Sequence, residues 1–414
     1  MKTDYCGIFR RVRQQSRVLA LMKDAQINSV LKKISRGILA AEKKILAANK
    51  KDLKKAAASG KSTAFVDRLT LDKKRIREMA SQVIEVSKLQ SPLGKIISRR
   101  KRPNGLDIKK VSVPIGVIFV IYESRPNVTS DCAALCLKSG NAIILRGGSD
   151  AVNSNGAIYA AIRSALPAAV KDAVCFIKDS GRETVKDILR MKDSIDVVIP
   201  RGGEGLIKTV VENSRIPVIY HGKGVCNLYV HKDADMKMAV KIAVNAKAQR
   251  PGVCNAIENL LVDKAAAKKF LPMIFKAYTV NKVEMKGCAE TRKILRNILS
   301  ASSSDWDTEY LEKIISIKTV RGINEACDFI NTHGSGHSEA IVTGSEKAAN
   351  IFFGAVDAAC LYRNASTRFT DGAQFGMGAE IGISNQKLHP RGPVGLEELT
   401  SYKYTVTGSG QIRK

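Results

Sequence analysis

The sequence predicts an α/β protein with two parallel-sheet bodies and a separate β element at its edge. Three observations lead there. Beyond residue 113, short apolar runs alternate with helical segments, the pattern of crossovers that cover both faces of a parallel sheet. Before residue 94, apolar positions recur at helical spacing. Between these regions an Asn-Gly turn joins two β-like arms, and a strand-like tail closes the chain.

In chain order, Val30, Ile34, Ile38, Ala41 and Ile45 line one helical face, while Lys32, Lys33, Lys43, Lys44 and Lys51 fall elsewhere. Thr70-Leu71-Asp72 caps a helix carrying Ile76, Met79, Val83 and Ile84 at helical spacing. Arg99-Arg100-Lys101-Arg102-Pro103-Asn104-Gly105 reads as a hairpin with a basic tip, too polar for a core. Strands follow over 113–122, 142–145, 174–177, 195–199 and 217–220, with helices over 129–138 and 184–190. A second α/β stretch carries strands near 257–262 and 340–343, and 401–406 reads as a strand leaving the body.

The 414 residues are 44% hydrophobic and 26% charged, which excludes a disordered or collagen-like chain. No apolar run exceeds that at 113–122, well short of the roughly 20 residues of a membrane span. The first residues show no apolar stretch of a signal peptide, so a soluble, cytoplasmic protein is expected. Nine cysteines without a Cys-x-x-Cys pair suit a reducing compartment. The net charge is +29, and residues 1–110 hold 29 Lys plus Arg against 9 Asp plus Glu. A basic face attracts phosphate backbones, so a nucleic-acid-binding protein is one alternative. The cations lie mostly on solvated helix faces and aromatics are only 5% of the chain, and no nucleic acid is expected as a partner.

Two glycine-rich turns follow strands and open helices: Arg146-Gly147-Gly148-Ser149 and Pro200-Arg201-Gly202-Gly203-Glu204-Gly205. Glycine lets a phosphate approach the backbone, the helix N-terminus offers unpaired N–H groups, and the neighbouring Arg adds charge. Together they suggest a nucleotide site at the C-terminal ends of parallel strands. Gly376-Met377-Gly378-Ala379-Glu380-Ile381-Gly382 mimics a dinucleotide fingerprint but has one residue too many and no preceding strand, so it reads as a loop. Cys132, Cys136 and Cys175 look like small core residues. Cys254 differs, because it lies between a loop containing Arg250 and a strand, where a nucleophilic thiol is expected. His333 and His337 flank Gly334-Ser335-Gly336, a poor helix, and no metal site is expected.

Glu123-Ser124-Arg125-Pro126-Asn127-Val128-Thr129, Ile144-Leu145-Arg146-Gly147-Gly148, Ile199-Pro200-Arg201-Gly202-Gly203, Ala248-Gln249-Arg250-Pro251-Gly252-Val253-Cys254-Asn255, Asn364-Ala365-Ser366-Thr367-Arg368-Phe369-Thr370-Asp371-Gly372 and Gln386-Lys387-Leu388-His389-Pro390-Arg391-Gly392-Pro393 resemble, in one order over the whole chain, the gamma-glutamyl phosphate reductase family of the aldehyde dehydrogenase superfamily. The resemblance implies an aldehyde dehydrogenase-like fold, with an NADP-binding domain over 1–93 and 114–237 and a catalytic domain over 238–398. It also implies an oligomerisation element over 94–113 and 399–414, hence a homo-oligomer. The implied reaction reduces L-glutamyl 5-phosphate to glutamate 5-semialdehyde with NADPH, on the route to proline. A separate glutamate 5-kinase is the implied source of substrate and a candidate partner. By similarity Cys254 is the nucleophile and Asn127 an oxyanion donor, together with the Cys254 backbone N–H.

Arg146 is implied to select the 2′-phosphate of NADPH, with Gly147 and Gly148 beside it. Arg201, Gly202 and Gly203 would line the pyrophosphate, and Ser124 the wall of the cofactor cleft. Thr367, Arg368 and Arg125 are candidates for holding substrate. Hydrolytic relatives carry a general-base Glu where this chain has Tyr220-His221-Gly222-Lys223-Gly224, and its absence fits a reductase. Asn227 stands where family members usually carry His. Another acyl-reducing semialdehyde dehydrogenase of the superfamily is the nearest alternative.

Overall fold

The computed structural model describes residues 4–179 and 181–413. They form two compact units, one from the chain up to Tyr220 with Gly376–Gly382 and Val394 onward, the other from His221–Phe375 with Ile383–Pro393.

The first unit opens with helices Tyr5–Leu19, Asp24–Ala40, Glu42–Ala58, Thr63–Leu69 and Lys73–Lys88. Asp72 caps the last of these by accepting the Arg75 N–H at 2.7 Å, as its place ahead of the apolar stripe predicts. Ile76, Met79, Val83 and Val86 are buried on that helix. They join a core centred on a four-stranded parallel sheet, ordered Val174–Phe176, Ala142–Gly147, Val117–Tyr122, Val197–Arg201. Every residue of Val117–Tyr122 is buried. A buried side chain of this size contributes about 1.5–3 kcal/mol, so this strand anchors the unit.

The apolar run over 113–122 is two strands rather than one. Asp107–Pro114 belongs to a three-stranded antiparallel sheet with Ile96–Lys101 and Thr400–Thr407, and Val117–Tyr122 to the core. The break falls at Gly116, whose φ of +132° suits glycine and where a Cβ would lie 2.2 Å from an Asp196 carboxylate oxygen. Hydropathy does not mark it, because the residues on either side, Val113 and Pro114 before it and Val117 to Tyr122 after it, are all apolar.

The second unit holds a seven-stranded parallel sheet, ordered Leu299–Ser300, Glu284–Gly287, Ile314–Val320, Ile257–Asp263, Cys226–Val230, Ser338–Val342, Cys360–Arg363. Cys226–Val230 lies in this sheet, so the compact units divide at Tyr220 and not at 237 as read from sequence. A strand buried on both faces reads the same whichever sheet it joins, since only its neighbours in space decide. Among the described residues no helix is long and apolar enough to cross a membrane.

Candidate active site

Each unit holds some of the residues singled out from the sequence. In the first, strand register sets Gly147 and Arg201 on either side of Tyr122 at the C-terminal end of the sheet. This brings Ser124, Arg146, Gly147, Gly148, Arg201, Gly202 and Gly203 to one sheet end. Ser124 takes φ +40°, a region costing a non-glycine residue about 1–3 kcal/mol, and turns the chain sharply off the central strand. Arg146 is buried, and burial pushes its guanidinium down while Asp179 and Glu123 pull it back. Gly147 has no room for a side chain, since a Cβ would lie 2.0 Å from Asn155 Nδ2.

Glu123 is a residue the sequence reading passed over. Its Oε2 accepts the Gly203 N–H at 2.9 Å, at the start of helix Glu204–Asn213. A Cβ on Gly202 would lie 2.4 Å from the same oxygen. A carboxylate therefore stands where helix geometry favours an anion. The Arg201 guanidinium packs at the Gly382 backbone and faces the Asp131 carboxylate electrostatically.

Asn127 occupies the position just before helix Val128–Lys138, and its Nδ2 donates to Asp131 Oδ2 at 2.9 Å. Arg125 is exposed two residues earlier. Cys132 and Cys136 on this helix are buried in the core, where burial pushes the Cys132 thiol up to about 12. They are the packed, unreactive thiols the sequence suggested. Cys175 is half-buried, because its strand lies at the sheet edge.

In the second unit, Cys254 sits half-buried in the loop between helix Met236–Ala248 and strand Ile257–Asp263. Both flanks of the loop are stapled by Lys247 and Glu258, a contact pair whose side chains are completely buried. Burial pushes Glu258 up and Lys247 down, and each opposes that shift in the other. Removing one partner of such a pair costs about 3–5 kcal/mol. The Cys226 thiol donates to the Cys254 carbonyl at 3.1 Å, and burial raises that thiol so that it keeps its proton. Gly224 packs on Cys254 itself: a Cβ there would lie 2.4 Å from the Cys254 carbonyl oxygen, 2.5 Å from its Cα and 2.7 Å from Glu309 Oε1.

Arg368 is held in place by two neutral acceptors, Gln249 Oε1 at 2.9 Å and Asn255 Oδ1. Burial and Arg250 push its guanidinium down, while Cys254 and Asp371 act the other way. Cys254 thus sits in the field of a fixed cation, the setting that favours a thiolate. Thr367 is fully buried and its hydroxyl donates to the Asn255 carbonyl at 2.7 Å. Asn255 Nδ2 reaches the Thr370 carbonyl at 2.8 Å. Thr367 and Asn255 therefore brace the loop that carries Cys254.

The aldehyde dehydrogenase family model matches residues 19–293. The chain is 49% identical over 409 residues to a gamma-glutamyl phosphate reductase of Nautilia profundicola, covering 98% of this chain and 99% of the relative. It is 51% identical over 407 residues to one of a Nitratiruptor species, again covering 98% and 99%. The crystal structure of the Thermotoga maritima gamma-glutamyl phosphate reductase superposes with a TM-score of 0.98 at 46% identity, covering 100% of both chains. The chain therefore belongs to the aldehyde dehydrogenase family, within its gamma-glutamyl phosphate reductase branch. The expected fold class is the one observed.

Proposed function

We propose that the protein reduces L-glutamyl 5-phosphate to L-glutamate 5-semialdehyde and phosphate with NADPH, in the cytoplasm, as a step toward proline. The observation that carries the mechanism is Cys254 on a braced loop beside the fixed Arg368 guanidinium. The Cys254 thiolate attacks the acyl carbon, the bond to the phosphate oxygen breaks, and phosphate departs. Arg368, with Arg250 near it, stabilises the charge on that leaving group. When bound, NADPH supplies the hydride that reduces the resulting thioester carbon. By similarity to the superfamily, the Asn127 amide is the expected donor to the oxyanion formed at each step, a contribution worth about 3–4 kcal/mol. Collapse of the oxyanion to the carbonyl breaks the carbon–sulfur bond, expels the Cys254 thiolate and releases the aldehyde.

The first unit's sheet end fits such a cofactor. A helix N-terminus already bears a carboxylate, and the strand end beside it carries a buried Arg146. Gly148 and Gly203 would let the pyrophosphate near the backbone, and Arg146 would meet the 2′-phosphate. The homo-oligomer expected from the hairpin and tail rests on their exposed strands: Ile96, Ile97, Tyr402, Tyr404 and Val406 are each half or more exposed.

The test runs the reaction backwards with glutamate 5-semialdehyde and NADP⁺, with and without phosphate, beside Cys254→Ala. NADPH formation that requires both phosphate and Cys254 is expected. Activity that requires coenzyme A in place of phosphate would assign the protein to another acyl-reducing branch, and activity without either would refute the phosphate-releasing step.

A further inference from the structure

Asp131 has no part in the chemistry above, yet its placement is unusual. It sits one helical turn beyond Asn127, at the start of helix Val128–Lys138. Its Oδ2 accepts the Asn127 Nδ2–H at 2.9 Å, and the Ser130 hydroxyl contacts its Oδ1 at 3.3 Å. Ser130 also bonds the Asn127 carbonyl at 2.8 Å, so the same turn grips both the backbone and the side chain of Asn127. From the neighbouring strand, Arg201 faces the carboxylate, and Cys132 is adjacent in the core. Burial pushes the Asp131 carboxyl up to about 6, so holding a charge there costs stability that an apolar residue would not.

A primary amide presents two N–H groups on one side and a carbonyl on the other. Turning it by half a revolution about its last torsion exchanges donors for an acceptor at little cost in shape. An oxyanion donor is useful only in one of those two orientations. A carboxylate accepts and never donates when ionised, so Asp131 selects the orientation with Nδ2 toward itself and leaves the second N–H of the amide uncommitted to it.

We propose that Asp131 is a positioning residue. It locks the Asn127 amide in its donating orientation, and Arg201 offsets the carboxylate's charge. This rests on the reading of Asn127 as the oxyanion donor. A purely structural role, an acid favoured by the dipole at a helix N-terminus, depends on charge. The positioning role depends on an acceptor oxygen, and conservative variants separate the two.

The experiment measures kcat and KM for semialdehyde and NADP⁺ in Asn127→Ala, Asp131→Ala, Asp131→Asn and the Asn127→Ala/Asp131→Ala double variant, with circular dichroism as the folding control. Asn127→Ala should lower kcat by roughly 100–1,000-fold. Asp131→Ala should lower kcat by about 10–100-fold with both KM values within about twofold, the penalty of a misaimed group. Asp131→Asn, which keeps an acceptor, should restore kcat to within a few-fold. The double variant should be no slower than Asn127→Ala alone, because a lost amide needs no aiming.

An Asn127→Ala enzyme of ordinary activity would remove both the oxyanion reading and the proposal. A crippled Asn127→Ala beside an unimpaired Asp131→Ala would overturn the positioning role alone. So would losses that multiply in the double variant, or an Asp131→Asn as slow as Asp131→Ala. Should Asp131→Ala not fold, Asp131→Leu matches the carboxyl's shape without an acceptor and carries the same comparison.

Discussion

Replacing Gly224 by alanine adds one carbon and two hydrogens, yet it should disable Cys254. The new Cβ would stand 2.4 Å from the Cys254 carbonyl oxygen and 2.5 Å from its Cα. An ordinary contact needs at least 3.4 Å, so the two segments must part by roughly 1 Å, and a misplacement of that size costs about 100-fold in rate. The backbone cannot yield freely, because Lys247 and Glu258 staple its flanks and Thr367 and Asn255 tie it to a second loop. Overpacking should also cost about 1–3 kcal/mol of stability. Gly222→Ala is the control, since its Cβ would meet only Asn385 Nδ2 at 3.7 Å. The assay is kcat for semialdehyde oxidation, with the alkylation rate of Cys254 by iodoacetamide followed by peptide mass spectrometry. Gly224→Ala should lose about 100-fold in kcat while Gly222→Ala stays within about twofold. A Gly224→Ala enzyme indistinguishable from wild type would refute the claim that this glycine sets the position of Cys254.

Further outcomes are expected elsewhere. Glu123→Gln keeps an acceptor for the Gly203 N–H but removes an anion from a helix N-terminus and from Arg146. The KM for NADP⁺ should fall by about two- to fivefold, the effect of one charge at such a site, and a higher KM would contradict the assignment of that sheet end. Arg146→Ala should narrow the preference for NADP⁺ over NAD⁺ by raising the KM for the former alone. Burial holds the His337 imidazole down to about 3, so the unfolded chain takes up this proton near pH 6.5 while the folded one does not. Stability should fall on acidification between those values by about 1.4 kcal/mol per pH unit. His337→Gln should flatten that slope in urea titrations, and an unchanged slope would disprove it. Deleting residues 400–414 should reduce the mass measured by sedimentation, and a monomeric wild type would sink the oligomer.

The legibility of the fold followed from which residues repeat. The alternation of strands and helices was plain, because buried strands such as Val117–Tyr122 have no polar residue to disguise them. For the same reason the break at Gly116 and the membership of Cys226–Val230 were opaque: hydrophobicity says that a strand is buried and not which neighbours bury it. Cys254 stood out through its local chain context, a loop with a cation beside it. Asp131 left a faint signal, being four residues from Asn127 on a helix, a spacing that brings side chains together. Gly224 and Glu123 left less. Their importance lies in contacts across 30 and 80 positions of chain, and no pattern in one sequence reports those. Thr367 was singled out for substrate, whereas its buried hydroxyl is bonded to the Asn255 carbonyl.

The small sheet of Ile96–Lys101, Asp107–Pro114 and Thr400–Thr407 has two outer strands, each paired on one side only. A sheet with both edges open is a template for further strands on either side. Here the two borders differ in character. One carries Tyr402, Tyr404 and Val406, a surface that another strand can lie against. The other ends in Arg99, Arg100 and Lys101, and Arg99 is bonded to Asp107 at 2.8 Å. Were two copies to pair through the tyrosine border, the basic borders left free would repel one another, so the asymmetry would favour a closed pair over a fibre.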